Sequence, residues 1–193
     1  PERGFSIRFD GPLDMRMGPS ASMTAAELLN GYSATELQRI LGMYGEVKNA
    51  RTLAQAIIQA RTRKALETTQ EFKEILNKLA PKHREFKYFA QVFQAIRIEV
   101  NQEMDVLKEF LEQSLEILKP EGRLSIISYH SLEDRLVKRF VKNGLFEGEP
   151  ERDFFGNFSV PFRTVGKLIV PNNEQIKENN RARSAKLRIA EKI

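Results

Sequence analysis

No cysteine occurs in the 193 residues, which excludes disulfides, thiolate metal sites and a catalytic thiol, and suits a reducing compartment. No uninterrupted apolar run approaches the roughly 20 residues that a membrane-spanning helix needs. Nor does an apolar segment with a small-residue cleavage site open the chain, so a soluble, cytoplasmic protein is expected. Histidine is scarce, with His83 and His130 alone, and no spacing of His, Asp or Glu matches a metal-ligand pattern, so no metal is expected. Internal repeats and low-complexity tracts are also lacking. What the chain does have is positive charge. Its 31 lysines and arginines face 26 aspartates and glutamates, a formal +5 with a pI near 9.5. That balance favours polyanionic partners and fits a solvated basic surface equally well. With 41% apolar residues, the length suffices for one sizeable domain or two small ones. The chain opens on Pro1-Glu2-Arg3-Gly4-Phe5 rather than on methionine, and is expected to be part of a longer protein.

Proline and glycine around Asp10-Gly11-Pro12-Leu13-Asp14 and Gly18-Pro19-Ser20 argue for an irregular loop over residues 1–22. From Thr24 to about Leu79 the pattern is helical, and Thr24 with Glu27, Ser33 with Glu36, and Thr68 with Glu71 read as capping boxes, each marking a helix start. Leu53, Ala54, Ile57 and Ile58 make one apolar helix face between them. From Lys87 onward, Phe89, Val92, Phe93, Ile96, Val100, Leu107, Leu111 and Leu118 keep helical spacing over about 30 residues, a length at which a bend or break is expected. Pro120-Glu121-Gly122 then turns the chain into a strand-like run, Arg123 to Tyr129, followed by a helix from Leu132 to Val141. Beyond Gly144 the expectations are a strand from Thr164 to Val170 ended by Pro171, a short helix capped by Asn172 or Asn173, and a last strand from Ser184 to Ala190. Helix, strand, loop and helix in succession indicate an α/β fold.

The densest polar cluster is Tyr129-His130-Ser131-Leu132-Glu133-Asp134-Arg135, where a strand ends and a helix begins. Free amides make such an edge a ligand site in open α/β sheets. The rival reading is local: Ser131 caps the helix while Glu133 and Asp134 complement its dipole. His130 brings an imidazole able to accept or donate a proton under physiological conditions, whereas His83, among charges after Pro81, reads as a surface residue. Asp14 stands on a proline-stiffened loop with Arg3, Arg8 and Arg16 around it. It either carries function or fixes the loop with Arg16 while methionines pack beneath. Asn180-Arg181-Ala182-Arg183-Ser184-Ala185-Lys186-Leu187-Arg188 sets four cations in the eight residues from Arg181 to Arg188, suited to phosphate contact or to guarding a strand edge. Phe154, Phe155 and Phe158 offer faces for base stacking, with core or loop packing the expected role. A hydrolase built on His130, Ser131 and Asp134 is disfavoured, because neighbours on one turn rarely reach triad geometry.

Arg3-Gly4-Phe5-Ser6, Pro12-Leu13-Asp14-Met15-Arg16-Met17, Phe93-Gln94-Ala95-Ile96-Arg97-Ile98 with Val100-Asn101, Ile127 to Arg135, and Asn180 to Ala185 together resemble, in order, the bacterial 16S rRNA cytosine-N4 methyltransferases, the MraW family. The resemblance covers nearly the whole chain and corresponds to the family's C-terminal part. It implies a partial Rossmann-like, S-adenosylmethionine-dependent methyltransferase domain with an inserted all-helical subdomain. Residues 1–22 would be a loop on the active-site side, 23–85 the helical RNA-recognition subdomain, and 86–193 the C-terminal half of the methyltransferase domain. It further implies Asp14 and His130 as catalytic residues, and Arg16, Ser131, Glu133, Asp134, Asn180, Arg181 and Arg183 as substrate- or RNA-binding ones. The partner would be 16S rRNA in the small ribosomal subunit, with no membrane. One departure matters: there is no Gly-x-Gly, the turn that cradles a nucleotide-type cofactor. The methyl donor is therefore expected to bind upstream, and this chain to be inactive alone. A sheet missing strands would expose an unpaired edge, making a homodimer an expected consequence. The alternative reading is a non-catalytic RNA-binding or assembly module.

Overall fold

The computed structural model describes residues 2–18, 21–156 and 159–193. They fold as two compact units, residues 1–103 and 104–193, in a mixed α/β structure with many helices and a small sheet.

The first unit is helical: α1 (Ala25–Gly31), α2 (Ala34–Met43), α3 (Ala50–Arg61), α4 (Thr69–Leu79) and α5 (Glu85–Val100). All three expected capping boxes form, with the Thr24, Ser33 and Thr68 hydroxyls accepting from the amides of Glu27, Glu36 and Glu71 and each glutamate reaching back to its cap. Each box satisfies amides that a helix start otherwise leaves without partners. Glu71 also accepts from Lys64; this contact, reinforced by the Glu67 and Thr68 amides, pulls its carboxyl down to about 2. The core joins Leu28, Leu37, Ile40, Leu53, Ile57, Phe72, Leu76, Val92 and Ile96, all fully buried. Helix α5 is the element about which the others gather. It buries Tyr88, Phe89, Val92, Phe93, Ala95 and Ile96 against α1, α2 and α4, and Phe93 meets Phe72 with ring centroids 5.8 Å apart. The expected break follows Val100, where Gln102 takes φ 49° before α6 (Glu103–Ile117) begins.

The second unit packs α6 and α7 (Ser131–Asn143) with a three-stranded antiparallel sheet in the order β1 (Arg123–Ser128), β3 (Lys186–Lys192), β2 (Phe162–Thr164). Leu111, Leu124, Val137, Phe140, Val141, Phe162 and Ala190 form its core. Register places Arg123 and Arg163 opposite Glu191, and both guanidinium groups bond its carboxylate, an opposite-charge ladder across three strands. Lys192 donates to the Leu115 and Leu118 carbonyls, satisfying the end of α6. Helix α8 (Asn173–Glu178) begins at the expected Asn172 cap, bonded to the Gln175 amide. Among the described residues, no helix is long and apolar enough to cross a membrane.

Two expectations fail. The strand foreseen from Thr164 to Val170 is instead Phe162–Thr164, with a lone bridge from Ile169 to Leu187. Gly166, at φ 70°, turns the backbone and interrupts the pairing. Phe154 and Phe155, expected to pack, are 98% and 84% exposed and meet each other edge-on; Phe158 lies outside the described residues.

Phe72→Ala should destabilise the first unit by about 3–5 kcal/mol in urea unfolding, the range for opening a cavity in a closed aromatic core. Phe110→Ala, at a half-exposed position on α6, should change stability by under about 0.5 kcal/mol.

Candidate functional site

In the first unit the loop bearing Asp14 is pinned like a strand although it is not one. Leu13 and Met15 point inward at 1% exposure each, which turns Asp14 and Arg16 outward on the intervening positions. The backbone is satisfied from several sides. The Leu13 amide donates to the Glu67 carbonyl (2.9 Å), the Met15 amide to the Arg3 carbonyl (2.8 Å), and the Ala25 amide to the Asp14 carbonyl (2.8 Å). Asn101 closes the far end, its Nδ2 donating to the Met15 carbonyl (2.8 Å) and its Oδ1 accepting from the Met17 amide (2.7 Å). Gly4 lets the incoming chain lie against this loop. It has φ 71°, and a Cβ there would stand 2.2 Å from the Pro12 carbonyl oxygen, so no side chain fits. Met15 itself holds φ 57°, a strained conformation kept by its burial and bonds.

On this base Asp14 receives Arg16 as a fork, Nε to Oδ1 at 2.7 Å and the terminal nitrogen to Oδ2 at 3.0 Å, while the Arg16 amide bonds Oδ1 at 3.1 Å. The Arg16 hydrogen bond holds the carboxyl below its ordinary 3.8, outweighing the opposing effect of partial burial. Asp14 is thus a fixed, ionised acceptor with lone pairs still open to a donor. The pair with Arg16 fixes the loop, and the loop turns the carboxylate outward.

In the second unit β1 runs into α7 through His130. The helix cap is His130, not Ser131: its Nδ1 accepts from the Glu133 amide at 3.4 Å, and Glu133 Oε2 accepts from the Tyr129 and His130 amides at 2.8 and 3.2 Å. Its Nε2 is buried 3.3 Å from Glu133 Oε1 without hydrogen-bond alignment. Burial pushes the Glu133 carboxyl up, but the neighbouring His130 ring and these amides outweigh it and leave the group lowered. Ser131 opens α7 behind the cap. Asp134, 8% exposed, is engaged at both oxygens, by Arg188 Nε at 2.8 Å and Lys186 Nζ at 3.1 Å. Burial raises its carboxyl and these two cations more than offset that, so it too is lowered. The four-cation segment accordingly divides. Lys186 and Arg188 tie β3 to α7, while Arg181 and Arg183 stay exposed with Asn180 on a 3-10 helix, Asn180–Ser184. Residue reading missed Asn101 as the clamp of the Asp14 loop. Its signal was the Val100-Asn101 pair in the quoted motif, which carried no role until the loop lay beside it.

Residues 1–193 match the MraW methylase family. The chain belongs to this family. It is similar to the ribosomal RNA small subunit methyltransferase H of Flavobacterium johnsoniae, at 66% identity over 193 residues, which is 100% of this chain and 64% of that protein. The proteins of the same description from Flavobacterium psychrophilum and Cytophaga hutchinsonii are 62% and 59% identical over 192 residues, 100% of this chain, with 66% and 64% of their own lengths covered. The MraW-family chain therefore spans about two thirds of the length of these relatives.

Asp134→Asn should cost about 2 kcal/mol, below the range for a fully buried pair because Lys186 is partly solvated. Since its folded carboxyl is depressed, Asp134's contribution is complete above its ordinary 3.8 and lost as the pH falls through the lower folded value. Acid titration of unfolding stability should show a shallower loss in the variant across that interval.

Proposed function

We propose that this MraW-family chain supplies the substrate side of a cytoplasmic, S-adenosylmethionine-dependent methyltransferase acting on the exocyclic N4 of a cytidine in the decoding region of 16S rRNA. The names of its relatives support the substrate, ribosomal RNA of the small subunit, and the reaction class. The single observation that carries the chemistry is Asp14 held ionised on a rigid loop. The N4 lone pair of cytosine is delocalised into the ring. A carboxylate accepting from an N4 hydrogen draws electron density back to the nitrogen, provided the base is held out of its stack. In this reading Arg16 positions Asp14, and His130, seated by Glu133 and followed by Ser131, is the second catalytic group. Asn180, Arg181 and Arg183 meet the RNA backbone. Asp134 acts through Lys186 and Arg188 by fixing the strand that carries them. Residues 1–22, 23–85 and 86–193 serve as catalytic-side loop, helical RNA-recognition subdomain and remainder of a partial Rossmann-like domain.

We infer that the described residues do not by themselves hold the methyl donor. Cavities of about 350, 260 and 430 Å³ open on them, and none is lined by a glycine. The turn that would cradle a nucleotide-type cofactor, Gly-x-Gly, is not in the sequence either. This favours a second description for the isolated chain, an RNA-binding module without turnover. Calorimetric titration should accordingly show no S-adenosylmethionine binding by the chain alone, and micromolar binding would contradict it. In a complete methyltransferase carrying this sequence, Asp14→Asn should lower kcat for 16S rRNA by about 100-fold with KM nearly unchanged, and His130→Ala should lower it as well; unaltered turnover removes the residue concerned from the site. The outer edge of β1 and the exposed Ile127, Ile169 and Val170 support self-association of the isolated chain through its sheet. Sedimentation at micromolar concentration should report a dimer, and a stable monomer would rule this out.

A further inference from the structure

The first unit carries a second polar site away from the Asp14 loop. The α2–α3 connection, residues 44–49, and the α4–α5 connection, residues 80–84, border a cavity of about 430 Å³ against the start of α5, lined by Lys48, Asn49, Arg84, Lys87, Tyr88 and Gln91 together with Glu46 and Pro81. Its walls are fixed. Gly45 comes so close to α5 that a Cβ would lie 2.8 Å from the Gln91 carbonyl oxygen, and Gln94 Nε2 donates to the Tyr44 carbonyl at 3.2 Å. Asn49 Nδ2 binds the Leu79 carbonyl at 3.3 Å, joining this wall to the end of α4.

Two independent observations point to a ligand. First, Tyr88 is 5% exposed and borders the cavity, and its buried hydroxyl, with the Asn49 side chain beside it, makes no aligned hydrogen bond among the described residues. A buried hydroxyl left so is costly, and its usual explanation is a partner from outside the chain. Burial also pushes the phenol up, so it stays protonated and available as a donor. Second, Lys48, Arg84 and Lys87 are exposed around it and belong to none of the ion pairs found among the described residues. Three cations thus face one carboxylate, Glu46. A hydroxyl with its proton still to donate, ringed by cations, matches a phosphate oxygen. Phe86, 74% exposed on the first turn of α5, adds a face on which an unpaired base can stack.

We propose that this cavity binds a backbone phosphate of RNA, with Tyr88 Oη donating to a phosphate oxygen and Lys48, Arg84 and Lys87 supplying the charge. The assignment rests on reading the chain as an RNA-binding part of an rRNA methyltransferase and locates one contact of its helical unit.

Fluorescence anisotropy of the full chain with a labelled RNA stem-loop of decoding-region sequence, read across a salt series, tests it. Tyr88→Phe should weaken binding about fivefold while leaving thermal stability unchanged or raised, since the hydroxyl it removes makes no aligned hydrogen bond in the fold. Arg84→Ala and Lys87→Ala should each lower the slope of log K against log salt by about one. RNA binding by Tyr88→Phe with unchanged affinity would overturn the cavity while leaving the RNA reading intact. A drop in stability of that variant would overturn it too, because the hydroxyl would then serve the fold. Failure of the unsubstituted chain to bind RNA would remove both. Competition by polyglutamate as effective as by unlabelled RNA would assign the cavity to acidic peptides instead.

Discussion

Leu13 and Met15 are driven inward from a segment with no regular structure, and that burial constrains everything built on the first unit. An irregular backbone drawn into a core must find partners for each amide and carbonyl. Here they come from four separate places: the chain entering at Arg3, the carbonyl of Glu67 before α4, the start of α1 at Ala25 and Ala26, and Asn101 after α5. The loop therefore cannot move without disturbing the ends of several helices. Asp14, placed between the two buried residues, inherits that rigidity, and the Arg16 fork removes the remaining rotational freedom of its carboxylate.

The same accounting separates the charges that hold the fold from those left for a partner. A net charge of +5 says little until the pairs are drawn. Arg97 is held by Glu103, Arg39 by Glu99, Arg123 and Arg163 by Glu191, and Lys186 and Arg188 by Asp134. Several of these pairs are partly exposed and contribute modestly, yet each also neutralises a cation that would otherwise attract an anion. The cations outside such pairs are therefore the informative ones. Arg181 and Arg183 stand on one short helix of the second unit, and Lys48, Arg84 and Lys87 around one cavity of the first.

What could be read from the residues was what local chemistry decides. Three capping boxes needed only a hydroxyl and a carboxylate three positions apart, and all three formed where expected. The break after Val100 and the strand from Arg123 followed from periodicity and from Pro120-Glu121-Gly122. Partners distant in sequence were not legible. Asp134, in the first turn of α7 as expected of a dipole complement, also meets Lys186 and Arg188 more than fifty positions away, a bolt between α7 and β3 that no local pattern announces. The cap at the start of α7 was misplaced by one residue because hydroxyls are the commoner caps, whereas the chain enters this helix with His130 extended and Ser131 already helical. Asn101 was visible only as part of a motif. The unpartnered Tyr88 hydroxyl could not be seen at all, since nothing in a sequence tells which tyrosine finds no bond.

The depressed carboxyl of Asp14 also limits what it can do in the proposed reaction. A group poised for general base catalysis has an affinity for protons near the working pH, and Arg16 moves Asp14 the other way. It is therefore a weak proton acceptor and a strong hydrogen-bond acceptor. For an aromatic amine that division is useful, because the nitrogen must become nucleophilic before methyl transfer but gains acidity only once the new bond forms. A carboxylate that accepts the N4 hydrogen without removing it enriches the nitrogen and holds it in line, so proton release follows the transfer step. Replacing Arg16 rather than Asp14 separates these roles: with the fork gone the carboxyl returns toward its ordinary value, and the loss should come from its freedom of orientation more than from its basicity.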